Sequence, residues 1–185
     1  RELSDAQMDI IASACLVAIM SQGAGYHRKT QADLEAVCRV EAPDTQVITS
    51  AGALVDSLKA IGAKRVSFIT PYMKGLTELV AGYIENEGIK VKDTISLEIP
   101  NNLEVGAQDP KNLIEIVKRL DTSEVDAVVL SACVQMPSLS ALAEVQKSFD
   151  VPVLSTAAAT VFQILKALKL PTVVPDAGEL LSGKY

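Results

Sequence analysis

The chain has 185 residues, 49% hydrophobic and 22% charged, with a net charge of −6. That is enough for one sizeable core or two small lobes; with no basic run or aromatic–basic patch, nucleic acid is not an expected partner, and no apolar stretch reaches the length of a membrane span. Three cysteines, an odd number, argue against a disulfide framework and for free thiols in a reducing cytoplasm.

Apolar runs of strand length alternate with helical patterns along the chain. "DIIASA" (9–14) reads as a buried strand and runs straight into Cys15. A glycine-containing loop, "SQGAGYHRK", leads to helical spacing over 31–40. "QVIT" (46–49) is a short strand, and a helix follows over 50–63, with Ser50 as its cap and Gly62 as its stop. Residues 64–70 form a strand ended by Pro71, 73–88 an amphipathic helix and 89–99 a strand with some alternation. Asp109 and Pro110 open a helix running to 121. Then come a strand over 125–132, a helix over 138–149, a strand over 151–155 and a helix over 156–170.

This alternation predicts βα units on parallel sheets, an α/β fold. In such sheets ligands bind beyond the carboxyl ends of the strands. Two segments, "MDIIASACLV" and "VDAVVLSACVQ", each end an apolar strand in Ser-Ala-Cys. Both strands are apolar enough to be central and buried on both faces. The cysteines, 118 residues apart (133 − 15), are far enough apart for one to lie in each of two related lobes.

A thiol at a strand end, facing the start of the next helix, sees unpaired backbone N–H groups and a partial positive charge. That setting favours the thiolate and makes Cys15 and Cys133 the candidate reactive groups. Cys38, inside a helical pattern, reads as a small buried hydrophobe. The single histidine, His27, reads as a surface loop residue, which leaves no Cys-His pair. No metal-ligand spacing, dinucleotide fingerprint, P-loop or nucleophile elbow is present, so neither a metal nor another cofactor is expected.

Four motifs in order, "SACLVAIMSQG", "ITPYMKGL", "IPNN" and "LSACVQMPSL", resemble the maleate cis–trans isomerases, a family of the aspartate/glutamate racemase superfamily alongside arylmalonate decarboxylase. The likeness runs from about Asp9 to the C-terminus. It implies two pseudo-symmetric flavodoxin/Rossmann-like lobes with parallel sheets and a site between them. The expected lobes are residues 1–48 with 157–185, carrying Cys15, and 49–156, carrying Cys133. The family also has an asparagine after a first strand, so an N-terminal strand–helix unit is expected ahead of residue 1.

By the same resemblance Cys15 matches the nucleophile and Cys133 the second, proton-handling cysteine. Tyr72 matches a substrate-contacting tyrosine and Asn102 a substrate-binding asparagine, with Asn101 beside it left open. The racemases carry Cys-Asn-Thr and Cys-Thr-His where this chain has Cys15-Leu16-Val17 and Cys133-Val134-Gln135. An apolar residue after the first cysteine suits a substrate with a carbon–carbon double bond and no amino group. Leu16, Val17, Val134 and Gln135 are therefore expected to line the site, the last two offering backbone N–H groups. The implied activity is cofactor-independent isomerisation of maleate, a small dicarboxylate, to fumarate, by a cytoplasmic homodimer of the kind that serves nicotinate breakdown. A racemase or decarboxylase of the same superfamily, or a non-catalytic dicarboxylate-binding module, stays open as an alternative.

Overall fold

The computed structural model describes residues 2–185. Strand β1 (Ile10–Ser13) pairs in parallel with β2 (Gln46–Thr49). Between them lie the short helix α1 (Leu16–Met20) and the longer α2 (Tyr26–Cys38). After β2 come α3 (Ser50–Ala60), β3 (Arg65–Thr70), α4 (Lys74–Asn86) and β4 (Lys90–Ser96). Then follow α5 (Asn102–Gly106), α6 (Asn112–Ile116), β5 (Ala127–Ser131), α7 (Leu139–Gln146), β6 (Val153–Ser155) and α8 (Thr156–Ala167). The second sheet is also parallel, in the order β4-β3-β5-β6. The α/β class and the parallel sheets match the expectation from periodicity.

The core lies on the larger sheet. Every residue of β5 is buried, as a central parallel strand covered on both faces requires. Phe68 and Ile69 of β3, Val128 and Val129 of β5, and Phe162 of α8 are fully enclosed in one cluster that also takes in Leu16 of α1. The Cys15-bearing strand is different. Among the described residues β1 has β2 as its one strand neighbour, and none of its residues is fully buried. The cover on both faces that was expected for β1 is not found among the described residues.

Local differences have local causes. Helix α2 starts at Tyr26, so His27, Arg28 and Lys29 are helical rather than part of a loop. Gly25, left-handed at φ 68, turns the chain into that helix. Thr49, not Ser50, caps α3, its hydroxyl accepting the Gly52 N–H at 3.1 Å. Ser50 is the first helical residue instead. Helix α6 is short and tightens into a 3-10 turn over Val117–Arg119. Helices α1 and α5, five residues each, are too short to stand out as a periodic pattern.

Helix α2 is held close to the rest. A Cβ at Gly52 of α3 would lie 3.1 Å from the His27 ring, so the missing side chain is what lets α2 and α3 approach there. His27 is buried at 3% exposure. Its backbone N–H donates to the Tyr83 hydroxyl of α4 at 3.0 Å, and its Nδ1 hydrogen-bonds to the same hydroxyl. Next to it, Glu87 accepts both Arg28 guanidinium nitrogens, at 2.7 and 2.6 Å, and the Lys59 ammonium at 2.7 Å. Helix α8 packs along α3 and also meets β2 and β1, so the chain leaves the larger sheet and returns against the smaller one.

Candidate active site

Four strand ends supply the candidate residues. Cys15 follows β1 as the extended N-cap of α1 and is exposed. Tyr72 follows β3, Asn101 and Asn102 follow β4, and Cys133 follows β5. All lie beyond the carboxyl ends of parallel strands, where such sheets present ligand sites. Because β3 lies between β4 and β5, Tyr72 starts out flanked by the asparagines and Cys133.

The loop carrying Tyr72 is fixed by its backbone. The Tyr72 N–H donates to Thr70 Oγ1 at 3.3 Å, and its carbonyl accepts the Glu98 N–H at 3.2 Å. Beneath it, Thr70, Thr77 and Ser96 join their hydroxyls at 2.7 and 2.8 Å. The Tyr72 hydroxyl faces the Cys133 thiol and lies within electrostatic reach of Cys15. Burial first, then the charge and hydrogen bonding of Cys133, then the charge of Cys15, push the phenol far above its ordinary range of 10. Tyr72 is therefore a protonated donor at neutral pH, aimed where negative charge from either thiol would be felt. One hydroxyl thus reads both sulfurs, one from each sheet.

Cys133 is 5% exposed and sits in the main core cluster, whereas Cys15 is open to solvent. Cys15 edges a shallow hollow of about 400 Å³ between β1, α1 and α2, lined also by Gln22, Tyr26, Thr30 and Asp33. Tyr72 and Cys133 do not line that hollow.

The remaining expected residues divide by what their side chains already do. Leu16 is 1% exposed and packs in the core, so its apolar character is explained by packing, and what it offers a ligand is backbone at the start of α1. Val17 is half-buried against the same core. Asn101 is spent as a cap: its Oδ1 accepts the Leu103 N–H at 2.9 Å. The Asn102 carboxamide is exposed and makes no hydrogen bond among the described residues. Val134 is half-buried and Gln135 exposed. The Gln135 amide donates to the Asn102 carbonyl at 2.6 Å, tying the turn after Cys133 to α5. Neither the Val134 nor the Gln135 N–H has an acceptor among the described residues.

Two cations at the start of α2 are committed to carboxylates. Arg28 is paired with Glu87, and Lys29 with Asp33 of its own helix at 2.5 Å. The donor that faces the Cys133 thiol, the Tyr72 hydroxyl, is neutral. His27, expected on a surface loop, is instead the buried link between α2 and α4. Two glycines just before it gave the segment the look of a loop, and no pattern pointed to Tyr83 as its partner. Ser131 stands in the second Ser-Ala-Cys segment, but nothing in the sequence gives its hydroxyl a role of its own.

Residues 4–181 match the arylmalonate decarboxylase family. A maleate isomerase from Geobacillus stearothermophilus is 60% identical over 184 residues, covering 100% of this chain and 73% of the relative. A crystal structure of a maleate isomerase variant from Pseudomonas putida S16 with maleate superposes with a TM-score of 0.97 at 54% identity, covering 100% of this chain and 74% of that one. A cysteine-to-serine variant of the Nocardia farcinica maleate cis–trans isomerase, with a covalently bound succinylcysteine intermediate, gives a TM-score of 0.96 at 41% identity, with 100% and 75% covered.

Proposed function

The chain belongs to the arylmalonate decarboxylase family, and its relatives at high identity are maleate isomerases; from that premise we propose that it converts maleate to fumarate by covalent addition of Cys15. The single observation that carries the reading is the Tyr72 hydroxyl facing the Cys133 thiol within electrostatic reach of Cys15. That arrangement sets a protonated donor beside one candidate thiol and within electrostatic reach of the other.

The chemistry follows from the substrate. Maleate is held cis by its double bond, so isomerisation needs that bond to become single for a moment. The Cys15 thiolate adds to one olefinic carbon, forming a C–S bond. The displaced electron pair moves through the other olefinic carbon into its carboxylate, as an enediolate. The Tyr72 hydroxyl and the Val134 and Gln135 N–H groups stabilise that charge. Cys133 gives its proton to the carbon, leaving a succinyl group on Cys15. Rotation about the new single bond follows. The Cys133 thiolate then takes the proton back, the C–S bond breaks, and fumarate leaves. No atom is gained or lost, and no electron is exchanged with an outside reagent. The scheme uses one sulfur as thiolate and the other as thiol. Asn102 orients the second carboxylate, Val17 keeps the approach to Cys15 apolar, and Leu16 offers backbone at the start of α1. The succinylcysteine in the Nocardia farcinica relative is the kind of adduct this scheme forms.

The same reading assigns residues 1–48 with 157–185 to one lobe and 49–156 to the other, which the packing of α8 against β1 and β2 supports. It extends, on family resemblance, to a cytoplasmic homodimer acting in nicotinate breakdown. Among the described residues no helix is long and apolar enough to cross a membrane.

The test is direct. Maleate should yield fumarate, and an arylmalonate should release no carbon dioxide. Cys15→Ala should abolish turnover, and Cys133→Ser should retain a one-substrate mass increase on Cys15 while turnover slows. Carbon dioxide without fumarate would favour decarboxylation, and near-normal activity of Cys15→Ala would remove the nucleophile from the scheme.

A further inference from the structure

Ser131 ends β5, two residues before Cys133, and is fully buried. Its hydroxyl donates to the Cys133 carbonyl at 2.9 Å and leans toward the Met136 carbonyl at 3.5 Å. The Ser131 carbonyl in turn accepts the Thr156 hydroxyl at 3.2 Å, at the start of α8. A line of buried hydroxyl contacts thus runs from α8 through the end of β5 to the turn that carries Cys133.

The consequence lies in one peptide unit. In a trans peptide the C=O and N–H point to opposite sides. The Cys133 carbonyl and the Val134 N–H belong to the same unit. By drawing that carbonyl inward, Ser131 turns the Val134 N–H away from the buried interior. That N–H has no acceptor among the described residues. Met136 needs no such balance, because the residue after it is Pro137, which has no N–H. On the outer side the turn is tied by the Gln135 amide to the Asn102 carbonyl. The turn is therefore fastened on both sides, with the Val134 donor facing away from the buried one.

We infer that Ser131 is a positioning residue for the reaction: its hydroxyl fixes the 133–134 peptide so that the Val134 N–H is preset as a donor to the developing enediolate. This rests on the isomerase reading above. It assigns Ser131 no contact with substrate. A donor fixed in advance acts at the transition state without reorganising, and that is where oxyanion donors have their effect. Ground-state binding of the diacid depends on it less.

The experiment compares wild type, Ser131→Ala and Ser131→Thr in two measurements. In maleate turnover, losing a preset donor of this type costs up to about 100–1,000-fold. Ser131→Ala keeps the N–H but frees its direction, so kcat should fall about 10–100-fold, with KM within about threefold. Ser131→Thr keeps the hydroxyl and should recover most of kcat. Alkylation of Cys15 by iodoacetamide should proceed at the wild-type rate in all three, because the nucleophile lies on the other sheet. The second measurement needs no turnover: the Val134 amide resonance should shift when fumarate is added to wild type, and the shift should shrink in Ser131→Ala. If Ser131→Ala does not fold, Ser131→Cys, a weaker donor of similar size, is compared in its place. A kcat within threefold of wild type in a folded variant lacking the hydroxyl overturns the inference. So does a loss that merely tracks faster Cys15 alkylation, or a Val134 amide indifferent to fumarate in wild type. A wild-type protein that makes no fumarate from maleate defeats the isomerase reading instead, and the amide measurement then decides the role of Ser131 alone.

Discussion

Tyr72 concentrates the site's electrostatics in one group. Burial and two neighbouring thiols hold its phenol protonated far above the usual 10, so it titrates nowhere in the working range of the enzyme. Activity between pH 7 and 10 should show no loss attributable to Tyr72. Tyr72→Phe keeps the ring packing and removes only the hydroxyl. Its kcat should drop about 100–1,000-fold, the cost of one preset donor, as read in steady-state kinetics beside an unchanged melting temperature. Cys15, Cys133 and Tyr72 were legible because four motifs occur in a fixed order, each cysteine or tyrosine directly after a strand. The choice between Asn101 and Asn102 was not legible, since both follow Pro100 and only the cap geometry shows which carboxamide is already used. Ser131 lies in a motif that the sequence shows, but its role was not legible, because its hydroxyl donates to a backbone carbonyl two residues away.

Helices α2, α3 and α4 meet at one buried junction, and its chemistry sets how the molecule answers to acid. Burial first, and Arg28 next, hold the His27 pKa below its ordinary 6.5. The unfolded chain therefore takes up that proton more readily. Stability is intact above pH 6.5 and falls as pH drops from there toward the lowered value. Glu87 works in a lower window. Hydrogen bonds from Arg28, and then from Lys59, outweigh its burial and bring its carboxyl from 4.5 to about 2. Its contribution is present above pH 4.5 and is lost as pH falls to about 2. Urea midpoints measured from pH 7 to 3 should decline through both windows, and Glu87→Gln should flatten the decline below 4.5. Tyr83→Phe leaves the His27 N–H and Nδ1 without their partner. It should cost about 1–3 kcal/mol at pH 7, the penalty for a buried unpaired polar group, as measured by urea unfolding. The helices themselves were readable from spacing. The start of α2 was not, because Gly23 and Gly25 mimic the end of a loop while the residues after them bury on a partner far away in sequence.

At the scale of the whole molecule the two sheets are unequal. The four-stranded sheet carries a fully buried strand and most of the core, while β1 and β2 pair with each other and no residue of β1 is fully buried. Local opening should follow that inequality. Native-state hydrogen exchange should show β3 and β5 amides exchanging only through global unfolding, and β1 amides exchanging at least about 100-fold faster. Equal protection of β1 and β5 would show that the sheets open as one unit. Strand and helix alternation revealed the parallel α/β class, but it could not assign strands to sheets, because neighbours across a sheet are set by packing between distant segments. The order β4-β3-β5-β6 is of that kind.

The return of α8 to β2 and β1 has a topological consequence. The polypeptide crosses from the smaller sheet to the larger one after β2, and crosses back after β6. A protease would need two scissions, near both crossings, to excise the Cys133 half. For the same reason β1, β2 and α8 could be isolated together only by joining two separate stretches of the chain.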